Sequence, residues 1–181
     1  MSEALDVLIL VADRLDAARI PYMVSGSMAM NVYAEPRMTR DIDIVVEIRS
    51  ADIEAIVAAF EPDFYCDRDM IRQAVDHRGM FNLLHSATVI KVDLIVRKNG
   101  PYRRLEFDRR RPITVDGHVI WIVAPEDLVL SKLVWAKPSR SELQLRDVRN
   151  LLGCVPDLDW SYLECWAADL TVADLLAEVR E

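Results

Sequence analysis

A chain of 181 residues, 52% of them hydrophobic, can bury one substantial core, so a single domain is expected. A formal net charge of −8 and a pI near 4.9 exclude a protein that grips long nucleic acid through many phosphate contacts, so any anionic ligand must be held locally or through a metal. No apolar run reaches the ~18 residues of a membrane span, acidic residues interrupt the apolar start as no signal peptide allows, and Cys66, Cys154 and Cys165 lack zinc-type spacing, which together suggest a soluble cytoplasmic chain with reduced thiols.

The first predicted element is an amphipathic helix over 2–19, with Leu5, Leu8, Ile9, Ala12, Leu15 and Ala18 at helical spacing, Ser2 as cap and Pro21 beyond its end. A short strand over 21–25 breaks at Gly26, and a helix restarts at Ser27 and runs to about Glu35, before Pro36. Such a junction exposes backbone N–H groups beside a small hydroxyl, which suits a phosphate. A tight turn with Ser27 as N-cap is the simpler alternative.

Over 41–48 the alternation puts Ile42, Ile44, Val46 and Ile48 on one strand face and Asp41, Asp43, Val45 and Glu47 on the other. The first face belongs to the core. Two carboxylates roughly 7 Å apart along one face repel each other unless a cation lies between them, and such oxygen-rich pairs suit Mg²⁺. A solvent-facing acidic strand end is the alternative.

Ser50 is placed to cap a helix over 51–60, and 69–77 forms another short helix. Segment 81–96 reads as a strand, a turn near Ser86-Ala87 and a second strand, in which Val92, Leu94 and Val96 oppose Lys91, Asp93 and Ile95. Asp93, set in a β-branched strand, costs stability unless something neutralises it. If the two acidic strands are neighbours, Asp41, Asp43 and Asp93 converge on one metal centre.

The run 97–111, with Arg97, Lys98, Arg103, Arg104, Arg109, Arg110 and Arg111, is the one dense basic patch, read as a solvated face in preference to an acceptor-binding surface. RPITVDGHVIWIVA is a hairpin turning at Asp116-Gly117. Pro125 opens a helix with Glu126 and Asp127 in its first turn. On it Lys132 has Leu128, Val129, Trp135 and Ala136 three and four residues away, so it either snorkels to solvent or reaches through a wall to an anionic ligand. Ser139-x-x-Glu142 is a capping-box pattern for a helix over 141–152, and Arg146 and Asp147 are either a surface pair or support for a site. Two further short helices, in WSYLECWAADL and TVADLLAEV, are expected to pack through Trp160, Leu163, Trp166 and Leu170.

Taken in order, Gly26-Ser27, Arg37-x-Thr39-x-Asp41-Ile42-Asp43, Lys91-Val92-Asp93, the Pro-Glu-Asp-Leu helix with Lys132, and Arg146-Asp147 resemble the DNA polymerase β type nucleotidyltransferase superfamily over roughly residues 20–152. The likeness is closest to the bacterial abortive-infection toxin-like (AbiEii-type) nucleotidyltransferases and their short uncharacterised relatives. It implies an α/β nucleotidyltransferase fold, a mixed twisted β-sheet flanked by helices. The core is expected over 1–124, with a C-terminal helical extension over 125–181 packed on it as one compact unit.

The resemblance also implies an activity: Mg-dependent transfer of a nucleoside monophosphate from an NTP to a hydroxyl on an RNA end, a protein or a small molecule. Gly26 and Ser27 then hold the triphosphate, Asp41 and Asp43 bind metal, Asp93 completes the metal site and helps deprotonate the acceptor, and Lys132 is a phosphate ligand. Arg37, Thr39, Lys91, Arg146 and Asp147 are supporting residues. Two Mg²⁺ ions are implied, with Mn²⁺ as a substitute, and an antitoxin is the implied partner if the chain is a toxin. Two departures stand out: Asn150 occupies a position where larger toxin relatives often carry a second acidic residue, and the chain lacks their larger C-terminal region. The competing readings are a nucleotide- or partner-binding module without turnover, and a metal-dependent phosphohydrolase, which has no need of the Gly-Ser junction.

Overall fold

Seven strands make one sheet in the computed structural model, which describes residues 3–39 and 41–180. They are β1 (Tyr22–Val24), β2 (Ile42–Val46), β3 (Phe64–Tyr65), β4 (Met80–His85), β5 (Lys91–Val96), β6 (Arg111–Val115) and β7 (His118–Ile122), in the spatial order β3-β4-β5-β2-β1-β7-β6. The sheet is mixed: β2 runs parallel to β5 and β1 parallel to β7, while the other neighbours are antiparallel. The expected hairpins are present, and the second turns at Asp116 and Gly117, both with positive φ, as a type I′ connection requires.

Alternation decides which face each strand buries. Ile42, Ile44 and Val46 are fully buried and pack with Val92, Leu94 and Val96 under α1 (Glu3–Ala17), α3 (Ile53–Phe60) and α4 (Arg68–His77). Each such side chain contributes about 1.5–3 kcal/mol on burial, enough to hold the register against a one-residue slip. The opposite face is covered by α2 (Gly26–Tyr33), α6 (Pro125–Ala136), α7 (Glu142–Cys154), α8 (Trp160–Asp169) and α9 (Ala173–Arg180), which share a second apolar cluster with Met23 and Ile122. α6 is buried almost all round because α2, α7 and α8 pack about it, which is why Glu126, Asp127 and Lys132 lie inside the protein.

Several boundaries differ from the expectations, each for a local reason. Ser50 does not cap a helix; Asp52 accepts from the Arg49 backbone N–H at 2.9 Å and tightens residues Ser50–Asp52 into a 3₁₀ turn before α3. α4 starts at Arg68 because the Asp67 side chain accepts from the N–H groups of Asp69 and Met70. The Ser139–Glu142 box does not form: Arg140 takes a left-handed conformation and α7 begins after Ser141. The Ser2 cap lies outside the described residues. One helix went unread, α5 (Pro101–Asp108), hidden in the arginine-rich run.

That run is a solvated face only in part: Lys98, Arg104 and Arg111 are exposed, while the others turn inward. Arg97 pairs with Glu47, Arg103 with Glu106 at 2.8 Å, and Arg109 with both Glu126 (3.0 Å) and Asp127 (2.9 Å). Arg109 ties the end of α5 to the start of α6, and Arg103 pairs within α5, because Glu106, Glu126 and Asp127 are buried and an unpaired buried charge is costly; Arg97 joins the ends of β5 and β2 through the half-buried Glu47. Among the described residues no helix is long and apolar enough to cross a membrane, and all three cysteines are free thiols.

Candidate active site

The site is built where β1 ends, β2 and β5 begin, and α2 starts. Asp43 and Asp93 are direct register partners across the parallel β2/β5 pair, so the two acidic strands are neighbours. Asp41 is exposed at the entrance to β2, and it raises the charge felt by both Asp43 and Lys91. Asp43 has its pKa raised above the ordinary carboxylate value, chiefly by burial, then by Asp93 and Asp41, with Lys132 and Lys91 opposing. Asp93 is only 7% exposed; Lys91 Nζ sits 2.9 Å from its Oδ2, while its Oδ1 is buried with no hydrogen-bond partner.

Gly26 is required by this arrangement. It has φ +60°, and a Cβ added there would lie 2.0 Å from Asp43 Oδ2. Only glycine both adopts the left-handed turn and lets the carboxylate lie against the start of α2. Gly26→Ala is therefore expected to cost at least about 1–2 kcal/mol of stability from the backbone alone, and to displace Asp43. A lower melting temperature together with lost nucleotide transfer is the expected result; a variant with parental stability and activity would refute it.

Ser27 is not an N-cap. Ser25 occupies that position without a side-chain cap, and Ser27 Oγ instead accepts from Arg37 Nη2 at 2.5 Å. Arg37 also donates to Asp147 Oδ2 at 3.1 Å, and Lys132 Nζ donates to the same oxygen at 2.8 Å. Lys132 and Asp147 are both almost fully buried, so Lys132 does not snorkel to solvent. Two cations on one carboxylate leave one net positive charge beside Ser27 and the start of α2, a place suited to an anion. Asn31 fixes the loop that carries Arg37, exchanging two 2.9 Å hydrogen bonds with the Arg37 backbone.

Of the sequence-derived candidates, Gly26, Ser27, Asp43 and Lys132 line one cleft of about 200 Å³, with Asp93, Lys91 and Asp41 at its strand edge and Arg37 and Asp147 behind Lys132. Thr39 bonds its own loop, donating to the Asp41 carbonyl at 3.3 Å. Arg146 does not line the cleft; it is exposed at a second hollow, which it shares with Glu35, Arg149, Asn150 and, on the side toward Lys132, Arg37 and Asp147. Ser25, Ile95, Leu128, Ser131, Trp135 and Gln144 complete the cleft, and the sequence does not single them out as site residues. Trp135 is readable in part: it lies three residues from Lys132 on α6, hence on the same side, yet it is 68% exposed while Leu128, Val129 and Ala136 are buried.

The donor set suits a hard divalent cation, since all three carboxylates offer oxygen and Asp93 Oδ1 is left without a partner. As they stand, no three acidic, histidine or cysteine side chains among the described residues are gathered closely enough to hold a metal. Lys91 occupies Asp93 Oδ2, and its half-exposed side chain can swing to solvent to release that oxygen.

A family model described as nucleotidyltransferase of unknown function (DUF6036) matches residues 3–180. The chain belongs to that family. This nucleotidyltransferase has no match among curated proteins. Its fold is shared with an antigenic nucleotidyltransferase-like protein from Paracoccidioides brasiliensis, at 19% identity and TM-score 0.62, covering 98% of this chain and 92% of the other. It is shared too with a lincosamide antibiotic adenylyltransferase in its lincomycin-bound form, at 13% identity and TM-score 0.56 over 86% and 98% of the two chains. ANT(2")-Ia in complex with adenylyl-2"-tobramycin matches at 14% identity and TM-score 0.55 over 92% and 95%.

Proposed function

We propose that this nucleotidyltransferase moves a nucleoside monophosphate from a metal-bound NTP to a hydroxyl of a small molecule, in the cleft between Gly26-Ser27, the three aspartates and Lys132. The observation that carries the reading is the pairing of Asp43 with Asp93 beside the glycine turn, with Asp93 Oδ1 buried and unpartnered. Asp41, Asp43 and Asp93 would hold the metal, with Mg²⁺ the natural choice for an all-oxygen set and Mn²⁺ its substitute. Bound there, it would supply neutralisation of the triphosphate and of the charge developing at the leaving oxygen.

The protein's own residues perform the rest. The α2 start, Ser27 and the net charge of the Arg37–Asp147–Lys132 group hold the phosphates. Asp93 orients the acceptor hydroxyl and takes its proton as the acceptor oxygen forms a bond to the α-phosphorus. The bond from that phosphorus to the bridging oxygen breaks, and pyrophosphate leaves in line.

A small-molecule acceptor is favoured over an RNA end because Arg97, Arg103 and Arg109 of the basic run are engaged in ion pairs within the protein and the chain is acidic overall. The reading is supported by two structures of this fold, one of an adenylyltransferase bound to lincomycin and one of ANT(2")-Ia in complex with adenylyl-2"-tobramycin. A toxin role with an antitoxin partner rests on the sequence resemblance to abortive-infection toxins, and it predicts growth arrest on expression of the active chain but not of Asp43→Asn.

The test is incubation with each labelled NTP and Mg²⁺ against separate pools of hydroxylated small molecules, tRNA and protein. Label is expected in the small-molecule pool; label confined to RNA or protein would refute the acceptor class, and none anywhere would refute the transfer. Calorimetry is expected to show NTP binding with Mg²⁺ or Mn²⁺ and at least about tenfold weaker binding in EDTA, because close carboxylates repel a bare triphosphate. Equal affinity in EDTA would remove the metal from the site.

A further inference from the structure

The sheet face that carries the aspartates changes character along its length. Side chains on one face recur every second residue, about 7 Å apart, so Asp43 and Val45 on β2 are matched by Asp93 and Ile95 on β5. One row of carboxylates is followed by one apolar row. Above that second row lies another hollow, of about 310 Å³, with Val45, Ile95, Val134, Trp135 and Pro138 as its apolar wall and Arg97, Lys98, Arg103 and Glu106 along its polar side. It shares Ser25, Ile95, Ser131 and Trp135 with the phosphate cleft, so the two are continuous. Trp135 stands at their junction with 68% of its surface exposed, although Leu133 and Ala136 beside it on α6 are fully buried.

Resting on the reading of the first cleft as a phosphate site, we infer that the second hollow holds the nucleobase of the NTP, stacked on the Trp135 indole. The order of chemistry along the face matches that of the ligand: charged phosphates at the Asp43/Asp93 row, then an apolar planar group at the Val45/Ile95 row. An exposed indole against an apolar wall is the usual platform for a base, since every base has a π-face. The Ser131 hydroxyl stands at the join, tied to Glu106 at 2.6 Å and to Arg103 at 3.0 Å, and it marks a fixed polar point between phosphate and base.

The test compares Mg·ATP with Mg·tripolyphosphate, which has the phosphates but no base, on the parent protein, Trp135→Ala and Trp135→Phe. Because the indole is exposed, both variants are expected to melt with the parent. The parent is expected to bind ATP more tightly than tripolyphosphate. Trp135→Ala is expected to lose at least about fivefold in ATP affinity, the lower end of what stacking contributes, with tripolyphosphate unchanged, and Trp135→Phe to recover most of the loss. Tripolyphosphate binding combined with unchanged ATP affinity in Trp135→Ala would overturn the base subsite alone. Binding of neither ligand would overturn the phosphate-site reading beneath it. Self-association of the parent that Trp135→Ala abolishes, with ATP affinity unaffected, would instead assign the hollow to a second copy of the chain.

Discussion

Asp43→Asn is expected to abolish nucleotide transfer, by at least about a hundredfold, while melting at the same temperature as the parent or higher. The parent holds three carboxylates near one another, and burial together with Asp93 and Asp41 raises the Asp43 pKa, so its ionised form opposes folding at neutral pH. Asparagine keeps the shape and removes the charge. The sign follows from linkage: a raised carboxyl pKa makes a contribution that is intact below the ordinary value of 3.8 and is lost as pH rises toward the shifted value. The stability gained by the variant should therefore be absent in acid, open from about pH 4 upward and level off above the raised value. Melting curves across pH, alongside labelled-NTP assays, check both parts. A variant that is several degrees less stable at neutral pH would make Asp43 a structural residue and displace the site.

Lys132→Met is expected to act on stability and on binding at once. Lys132 and Asp147 form a nearly dry ion pair, and removing one member of such a pair typically costs about 3–5 kcal/mol because the other is stranded. Arg37 still reaches Asp147 at 3.1 Å, which puts the expected cost at the lower end, a fall in melting temperature of very roughly 5–15 °C. NTP affinity should fall by at least about tenfold, equivalent to ~1.4 kcal/mol of lost charge-assisted contact. The double variant Lys132→Met/Asp147→Asn separates the two effects: it removes the stranded charge and should recover most of the stability but none of the affinity. Parental affinity in the double variant would leave Lys132 a purely structural cation, and parental stability in the single variant would mean that Asp147 is satisfied without it.

The strands were legible because alternation is local: Ile42, Ile44 and Val46 announce a buried face, and Asp41 and Asp43 announce the other without reference to any neighbour. The glycine turn was legible for a similar reason, since a strand ending at Gly26-Ser27 before a helix has few uses. The caps were less so. Ser27, Ser50 and Ser139 all look like caps in sequence, yet Arg37, Arg49 with Asp52, and the left-handed Arg140 decide otherwise, because competing hydrogen-bond partners enter from other turns. The basic run between 97 and 111 misleads in part for the same reason: Glu47, the partner of Arg97, and Glu126 and Asp127, the partners of Arg109, are distant in sequence, so these two arginines read as solvated but hold elements together.

By itself, the sequence determined most of the elements, though not α5 or β3, the face the long strands bury and the residue types from which a metal and phosphate site can be made, because periodicity and local backbone chemistry act within a few residues. Tertiary structure alone decided that Asp43 and Asp93 are opposite one another, that Lys132 and Arg37 share Asp147, that Arg146 lies outside the cleft of Gly26, Asp43 and Lys132, and that a second hollow with Trp135 at its apolar wall continues that cleft. Those facts depend on which strands pair and which helix faces meet. Pairing is chosen by the burial of the whole core, a free energy summed over contacts distant in sequence that no short stretch of the chain contains.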